Sequence, residues 1–311
     1  MTDWTRRGAA GATLAMGLAL ADPTLAQEAP PPSTPGFGAD HLDRGRLTVP
    51  VLINGQGPFA FAVDSAANAS VIAADLAVTL ALPAAGEVTM HTLIAGETVS
   101  TVRAGRIQTG ALDEPDIRLA VASRIGLAGV DGLIGTDLLG GLRLDLRFRG
   151  VQRMRITRSR RTGDQFFESR RPSTRLLHAV EQRFGELLMI EAQAGGAPAV
   201  AILDTGALVS IGNTALARAA RTTQITLRDG SRTSRVQSPT GRSAQAEPML
   251  LSGLRFGGLT LGRIPLLIGD FHTFDLWGLG DRPAMLLGVD VLGLFSSVAI
   301  DLRRGEVVFE V

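Results

Sequence analysis

Asp204-Thr205-Gly206-Ala207 and Asp64-Ser65-Ala66-Ala67 each place a carboxylate, a hydroxyl and small residues directly after an apolar run. The runs are Ala199-Val200-Ala201-Ile202-Leu203 and Phe59-Ala60-Phe61-Ala62-Val63. A strand-like run ending this way aims a side chain out of a tight turn. Two carboxylates held close together cannot both ionise comfortably, so they share one proton. The ionised member can take a proton from a bound water while the protonated one polarises a carbonyl. The result is general acid–base hydrolysis of a peptide bond with no covalent intermediate. Asp64 and Asp204 are the candidate pair, titrating jointly rather than separately. Ser65 and Thr205 supply hydroxyls able to tie two such loops together, and Ala66 and Gly206 are small enough for backbone N–H groups to approach the carboxylates.

The recurrence continues downstream of both aspartates. Ser70-Val71-Ile72 and Leu76-Ala77 are matched by Ser210-Ile211-Gly212 and Leu216-Ala217 at the same spacing. Gly132-Leu133-Ile134-Gly135-Thr136-Asp137-Leu138-Leu139 is echoed by Met285-Leu286-Leu287-Gly288-Val289-Asp290-Val291-Leu292. Each half then closes on a strand-like segment, Leu144-Asp145-Leu146-Arg147 and Ile300-Asp301-Leu302-Arg303. A long-period duplication sets the fold, and here it predicts two homologous lobes, residues 45–149 and 176–311. Short Val/Ile/Leu segments cut by Gly, Pro, Asn and Asp make both lobes mainly β, as in Leu47 to Ile53 before Asn54-Gly55 and in Val307-Val308-Phe309. Helices are expected to be few and short, foremost at 69–80 and 214–220. Asp137 and Asp290 read as turn or helix-start residues, and Asp145 and Asp301 as pairing residues on the closing strands. The segment Gly269 to Pro283, with Phe271, Phe274 and Trp277, has no counterpart in the first half; it either lines a pocket for apolar side chains or packs on the second lobe.

Between the halves, residues 150–175 form an arginine-rich connector, better read as a hydrated surface segment than as a patch for an acidic partner. The 311 residues carry a formal charge of +1, which gives no argument for nucleic acid or a membrane surface. Cys, Tyr and Lys are all absent, so disulfides and a lipid on an N-terminal cysteine are excluded. At the N-terminus, Arg6-Arg7 precede a short weakly apolar run and Thr24-Leu25-Ala26. Residues 1–26 therefore read as a cleaved export signal, compatible with the twin-arginine route, followed by a Pro-rich leader over 27–44. That predicts a periplasmic or secreted protein with no stable membrane anchor. The histidines at 41, 91, 178 and 272 are scattered, no HExxH, GxSxG or phosphate loop occurs, and no metal or cofactor is expected.

These motifs resemble the retropepsin-like and pepsin-like aspartic peptidases, most closely the bacterial exported aspartyl proteases with two retropepsin-like units in tandem. The resemblance spans about residues 45 to 311. It implies two acid-protease-like β-barrel lobes with a cleft between them, each contributing one Asp-Thr/Ser-Gly loop. It implies that Leu133-Ile134-Gly135 and Leu286-Leu287-Gly288 pack beside those loops. It also implies flap hairpins, for which Ala95 and Gly96, and Thr240 and Gly241, are the candidates. The missing tyrosine favours the retropepsin side. Ala66 departs from the family glycine; its methyl fits poorly wherever φ must be positive. The implied activity is that of a monomeric aspartic endopeptidase acting on peptide or protein substrates. The alternative is a catalytically impaired peptide-binding protein on the same fold. Ala67 and Ala207 stand where pepsin-like relatives often carry a hydroxyl. Without that donor the shared proton should be held nearer to neutrality, so the expected profile centres on weakly acidic to neutral pH.

Overall fold

The computed structural model describes residues 47–151, 153–159, 174–179, 181–183 and 187–311. The expected export signal and leader lie outside the described residues, as does the middle of the connector. Val49, Val51 and Ile53 alternate inward along β1 (Thr48–Ile53), the period-two pattern of a half-buried strand. Asn54 and Gly55, at φ of 52° and 77°, turn the chain into β2 (Gln56–Val63), as an Asn-Gly hairpin favours. There follow β3 (Val71–Ala73), helix α1 (Ala74–Thr79), β4 (Ala84–His91), β5 (Gly96–Thr109), β6 (Leu112–Ala122), β7 (Gly132–Ile134) and helix α2 (Thr136–Leu139). The strand order β1-β2-β7-β3-β6-β5, with β5 returning to β1, closes a barrel. The helix expected from residue 69 starts only at Ala74. Val71–Ala73 is drawn into the sheet between β6 and β7 instead.

β8 (Leu142–Arg147), β9 (Arg153–Arg158) and β10 (Thr174–His178) lead into the second lobe. Residues 153–158 were expected in the connector; they form a strand because Met154 and Ile156 alternate inward between outward arginines. The second lobe runs through β11 (Glu181–Arg183), β12 (Leu187–Ala194), β13 (Ala197–Leu203), β14 (Ile211–Gly212) and helix α3 (Thr214–Ala219), the last close to the expected helix. Next come β15 (Thr222–Gln224), β16 (Ser234–Gln237), β17 (Ser243–Leu251), β18 (Leu254–Phe256), β19 (Leu259–Leu261) and β20 (Ile264–Ile268). Helix α4 (His272–Leu276), β21 (Ala284–Leu287) and helix α5 (Val289–Leu292) complete it. The order β12-β13-β21-β14-β20-β17 repeats that of the first lobe, but β12 pairs with β18 rather than β17, so this lobe stays an open half-barrel. The fold is thus mainly β, with two acid-protease-like lobes.

β22 (Ser297–Asp301) and β23 (Glu306–Glu310) return to a five-stranded sheet ordered β10-β23-β22-β8-β9. The two repeated closing segments meet there as antiparallel neighbours, Asp145 opposite Ala299 and Arg143 opposite Asp301. Asp145 accepts from Arg143 at 2.7 Å and from Thr157 at 2.8 Å, which is the pairing role expected of it. One apolar cluster runs from Phe61 and Ile72 through Leu144 and Ile300 to Phe256, Phe295 and Phe309, so the lobes share a core beneath the cleft.

Candidate active site

Both aspartates are set by the same frame. β2 pairs in parallel with β7, Val63 opposite Ile134, and β13 with β21, Leu203 opposite Leu287. Each aspartate thus emerges beside the second apolar residue of the apolar-apolar-Gly segment. Asp64 N donates to Ile134 O at 2.9 Å, and Asp204 N to Leu287 O at 3.0 Å. In the turn that follows, the amides of Ala66 and Ala67 both donate to Asp64 Oδ1 at 2.9 Å. The amides of Gly206 and Ala207 do the same to Asp204 Oδ1 at the same distance. Each side chain caps its own turn, as Asp does in Asx-turns, and these donors favour the ionised form.

The two loops are bonded to each other. Ser65 N donates to Thr205 Oγ1 at 3.2 Å and Thr205 N to Ser65 Oγ at 3.1 Å. Each hydroxyl then donates across the interface, Ser65 Oγ to Leu203 O at 2.8 Å and Thr205 Oγ1 to Val63 O at 2.7 Å. Ser65 is 2% exposed and Thr205 4%, so all four bonds are made where water cannot substitute for them. Asp64 and Asp204 line one cavity between the lobes.

Gly206 is a matter of space, not of conformation. A Cβ there would lie 2.3 Å from Asp64 Oδ2, and neither Gly206 nor Ala66 adopts positive φ. The backbone objection to Ala66 therefore falls away. Its methyl packs against the second lobe's apolar cluster. Because residue 66 carries a Cβ, the carboxyl of Asp204 cannot stand as close to it as that of Asp64 stands to Gly206.

Asp137 and Asp290 do start α2 and α5, but they also do something the sequence reading missed. Ser70 N and Oγ donate to Asp137 at 3.0 and 2.7 Å, and Ser210 N and Oγ to Asp290 at 2.9 and 2.7 Å. The serine hydroxyls in turn accept from Gly135 N and Gly288 N, both at 3.0 Å. Those glycines back onto the catalytic-type loops: a Cβ at Gly135 would meet Ala67 O at 2.9 Å, and one at Gly288 would meet Ala207 O at 2.8 Å. Burial raises the Asp137 carboxyl above its ordinary range and pushes that of Asp290 up to about 6. The signal was present in the recurrence of both residues, Ser70 and Asp137 in the first half and Ser210 and Asp290 in the second.

Two hairpin turns roof the cavity. The first lies between β4 and β5. Thr92 Oγ1 accepts from the amides of Ile94 and Ala95 at 3.2 Å and donates to Ala95 O at 3.0 Å, with Gly96 opening β5 behind it. The second, between β16 and β17, carries Thr240 and Gly241; Ser238 and Pro239 line the cavity from it. The turns meet through Glu97, which accepts from Thr240 and from Arg242 Nε, the latter at 2.7 Å. Phe271 and Phe274 pack into the second lobe, whereas Trp277 and Thr273 also line the cavity. The segment 269–283 does have a first-half counterpart, the shorter β6–β7 connection around Gly126, since it joins β20 to β21. His91 and His272, expected to be scattered, are brought together at 3.0 Å. Among the described residues no group of three or more His, Cys, Asp or Glu side chains could hold a metal ion.

Residues 49–138 and 190–291 match the family model described as "Aspartyl protease". Among solved structures the chain is similar to the aspartic proteinase from Irpex lacteus, at 13% identity and a TM-score of 0.48, over 84% of this chain and 92% of that one. No curated protein matches the chain. With the family model covering both loops and most of both lobes, the chain belongs to the aspartyl protease family.

Proposed function

We propose that the protein is an aspartic-type endopeptidase in which Asp64 and Asp204 activate one water between them. The observation that carries this reading is the pair of loops bonded to each other through Ser65 and Thr205, with each aspartate's Oδ1 held by two amides in one cavity. Fixing one oxygen of each carboxyl fixes its plane, so the second oxygens are pre-aimed and no reorganisation is needed during reaction. The ionised carboxylate takes a proton from water as the oxygen attacks the scissile carbonyl, and the protonated one donates to the carbonyl oxygen. Collapse of the tetrahedral diol passes a proton to the leaving amine. The roof turns exclude bulk water and order an extended peptide over the carboxylates.

The second reading, a peptide-binding protein, draws on one observation, the methyl that Ala66 carries where the second loop has Gly206. The two readings part when wild type and the double variant Asp64→Asn/Asp204→Asn are incubated with a diverse set of unfolded peptides. The peptidase reading expects cleavage by wild type and none by the variant, with both binding. Binding without cleavage by wild type transfers the protein to the second reading. We further infer, from Arg6-Arg7, the short apolar run and Thr24-Leu25-Ala26, that the enzyme is exported to the periplasm or outside the cell, and, from the presence of both aspartates on one chain, that it acts as a monomer; sequencing the N-terminus of the mature protein tests cleavage after Ala26.

A further inference from the structure

His91 ends β4 at the base of the first roof turn, and His272 opens α4 on the β20–β21 connection of the opposite lobe. Their nitrogens, His91 Nδ1 and His272 Nε2, are 3.0 Å apart while the ring centroids are 5.3 Å apart with planes inclined by 21°. A nitrogen contact so far inside the centroid separation places the rings edge to edge, nearly coplanar, as an N–H···N bond requires. A second bond joins the same segments: Thr273 N donates to Leu93 O at 3.3 Å at the tip of the turn. Leu93 itself packs against the second lobe's apolar cluster. His91, Leu93 and Thr273 all line the cavity that holds Asp64 and Asp204.

We propose that His91 and His272, with the Leu93–Thr273 bond, form a latch by which the second lobe positions the first lobe's flap over the aspartate pair, and that double protonation of the rings releases it. The inference rests on the peptidase reading for its effect on turnover, though not for its effect on the flap. An imidazole–imidazole bond needs one N–H and one lone pair. Two neutral rings provide that, and so does a pair holding one extra proton. A second extra proton leaves two N–H groups and two like charges face to face, and the bond is lost. The bond therefore survives the first added proton and is lost with the second. The other charged groups around the pair are few. Glu97 is taken up on the far side of the flap by Thr240 and Arg242. Asp64 and Asp204 line the same cavity as His91. Asp270 accepts from Thr214, and Asp275 lies further along α4. His91 and His272 are positioning residues here; neither is asked to transfer a proton to substrate.

The test uses His272→Ala and His272→Gln in the full chain. Glutamine's amide nitrogen falls near the place of the imidazole Nε2 and keeps the bond without a titrating proton. At pH 7.5 the alanine variant should raise KM about three- to tenfold, the factor one net hydrogen bond is worth, with kcat little changed, and glutamine should recover most of that loss. As pH is lowered to the point where both wild-type rings are protonated, the ratio of kcat/KM for His272→Gln to that for wild type should climb by about threefold or more. Hydrogen exchange gives an activity-independent readout: the amides of 92–97 should exchange about three- to tenfold faster in the alanine variant, and not in the glutamine variant, at neutral pH. A ratio flat with pH overturns the protonation step, and unchanged exchange in the alanine variant overturns the latch. If wild type cleaves nothing while the exchange difference is present, the latch stands and the peptidase reading falls.

Discussion

Laid over one another, the two lobes agree bond for bond beneath the aspartates and part company above them. Ser70, Asp137 and Gly135 are wired as Ser210, Asp290 and Gly288 are, and each aspartate accepts two amides at 2.9 Å. Above that frame the first lobe places Ala66 where the second has Gly206, closes its barrel where the second stays open, and has a short β6–β7 connection where the second carries α4 and His272. Duplicated chemistry needs a duplicated frame, because both carboxyls must be aimed with the same accuracy. The surfaces that meet a substrate are under no such demand, since a peptide has no twofold axis of its own.

The largest effect should come from making the loops alike in the wrong direction. In Gly206→Ala the new Cβ falls 2.3 Å from Asp64 Oδ2, so the carboxyl must shift, and a misplacement of about 1 Å costs about a hundredfold in kcat/KM. Ala66→Gly, which makes them alike in the family's direction, should raise activity or leave it unchanged. Wild-type activity in Gly206→Ala would break the comparison, and so would a loss in Ala66→Gly. Next in size is the frame itself. Ser210→Ala strands the Gly288 amide and takes the hydroxyl donor from the Asp290 carboxyl, and should cost about 2–3 kcal/mol in urea unfolding. Ser70→Ala breaks the same bonds beside the more exposed Asp137 and should cost less.

The buried carboxyls sharpen the contrast by pH. The folded-state value of Asp290, about 6, lies above the ordinary aspartate value of 3.8. The folded protein therefore binds more protons than the unfolded one between them, and stability falls as pH rises through that window. Asp290→Asn removes this dependence and should flatten the curve by about 2 kcal/mol between pH 4 and 6, under the full value of the shift because that window covers only part of the titration. Asp137→Asn should flatten it less. A slope unchanged by Asp290→Asn would contradict the burial argument. The smallest effect is expected at Ala207→Ser, whose hydroxyl adds a donor to the ionised carboxylate and should move the alkaline limb of kcat/KM to lower pH by less than about one unit. A limb that stays put, or a wild-type optimum at strongly acidic pH, would show that the missing hydroxyls do not set the profile.

Much of this was legible in the sequence because duplication writes the same constraint twice. The aspartate turns, the apolar-apolar-Gly segments and the tie through Ser65 and Thr205 followed from short-range pattern and the family resemblance. What escaped the reading turned on a masked period in one place and on distant partners in the others. Arg153 to Arg158 read as part of a charge run, yet Met154 and Ile156 alternate inward against β8, so period outweighed composition. Val71–Ala73 looked helical until β6 and β7 claimed it from both sides. His91 and His272 have no mutual signature in the sequence, since only the interlobe packing brings them together.

On the peptidase reading, one catalytic pair is shared between the two lobes of a single chain. The most direct test is kcat/KM on one cleaved peptide for Asp64→Asn and Asp204→Asn measured separately, with unchanged folding verified by circular dichroism. Both substitutions should lose about a thousandfold or more, because either one removes a carboxyl that the shared proton requires. Retention of wild-type activity by Asp64→Asn alongside its loss in Asp204→Asn would contradict the account and point instead to a dimer that pairs two copies of Asp204.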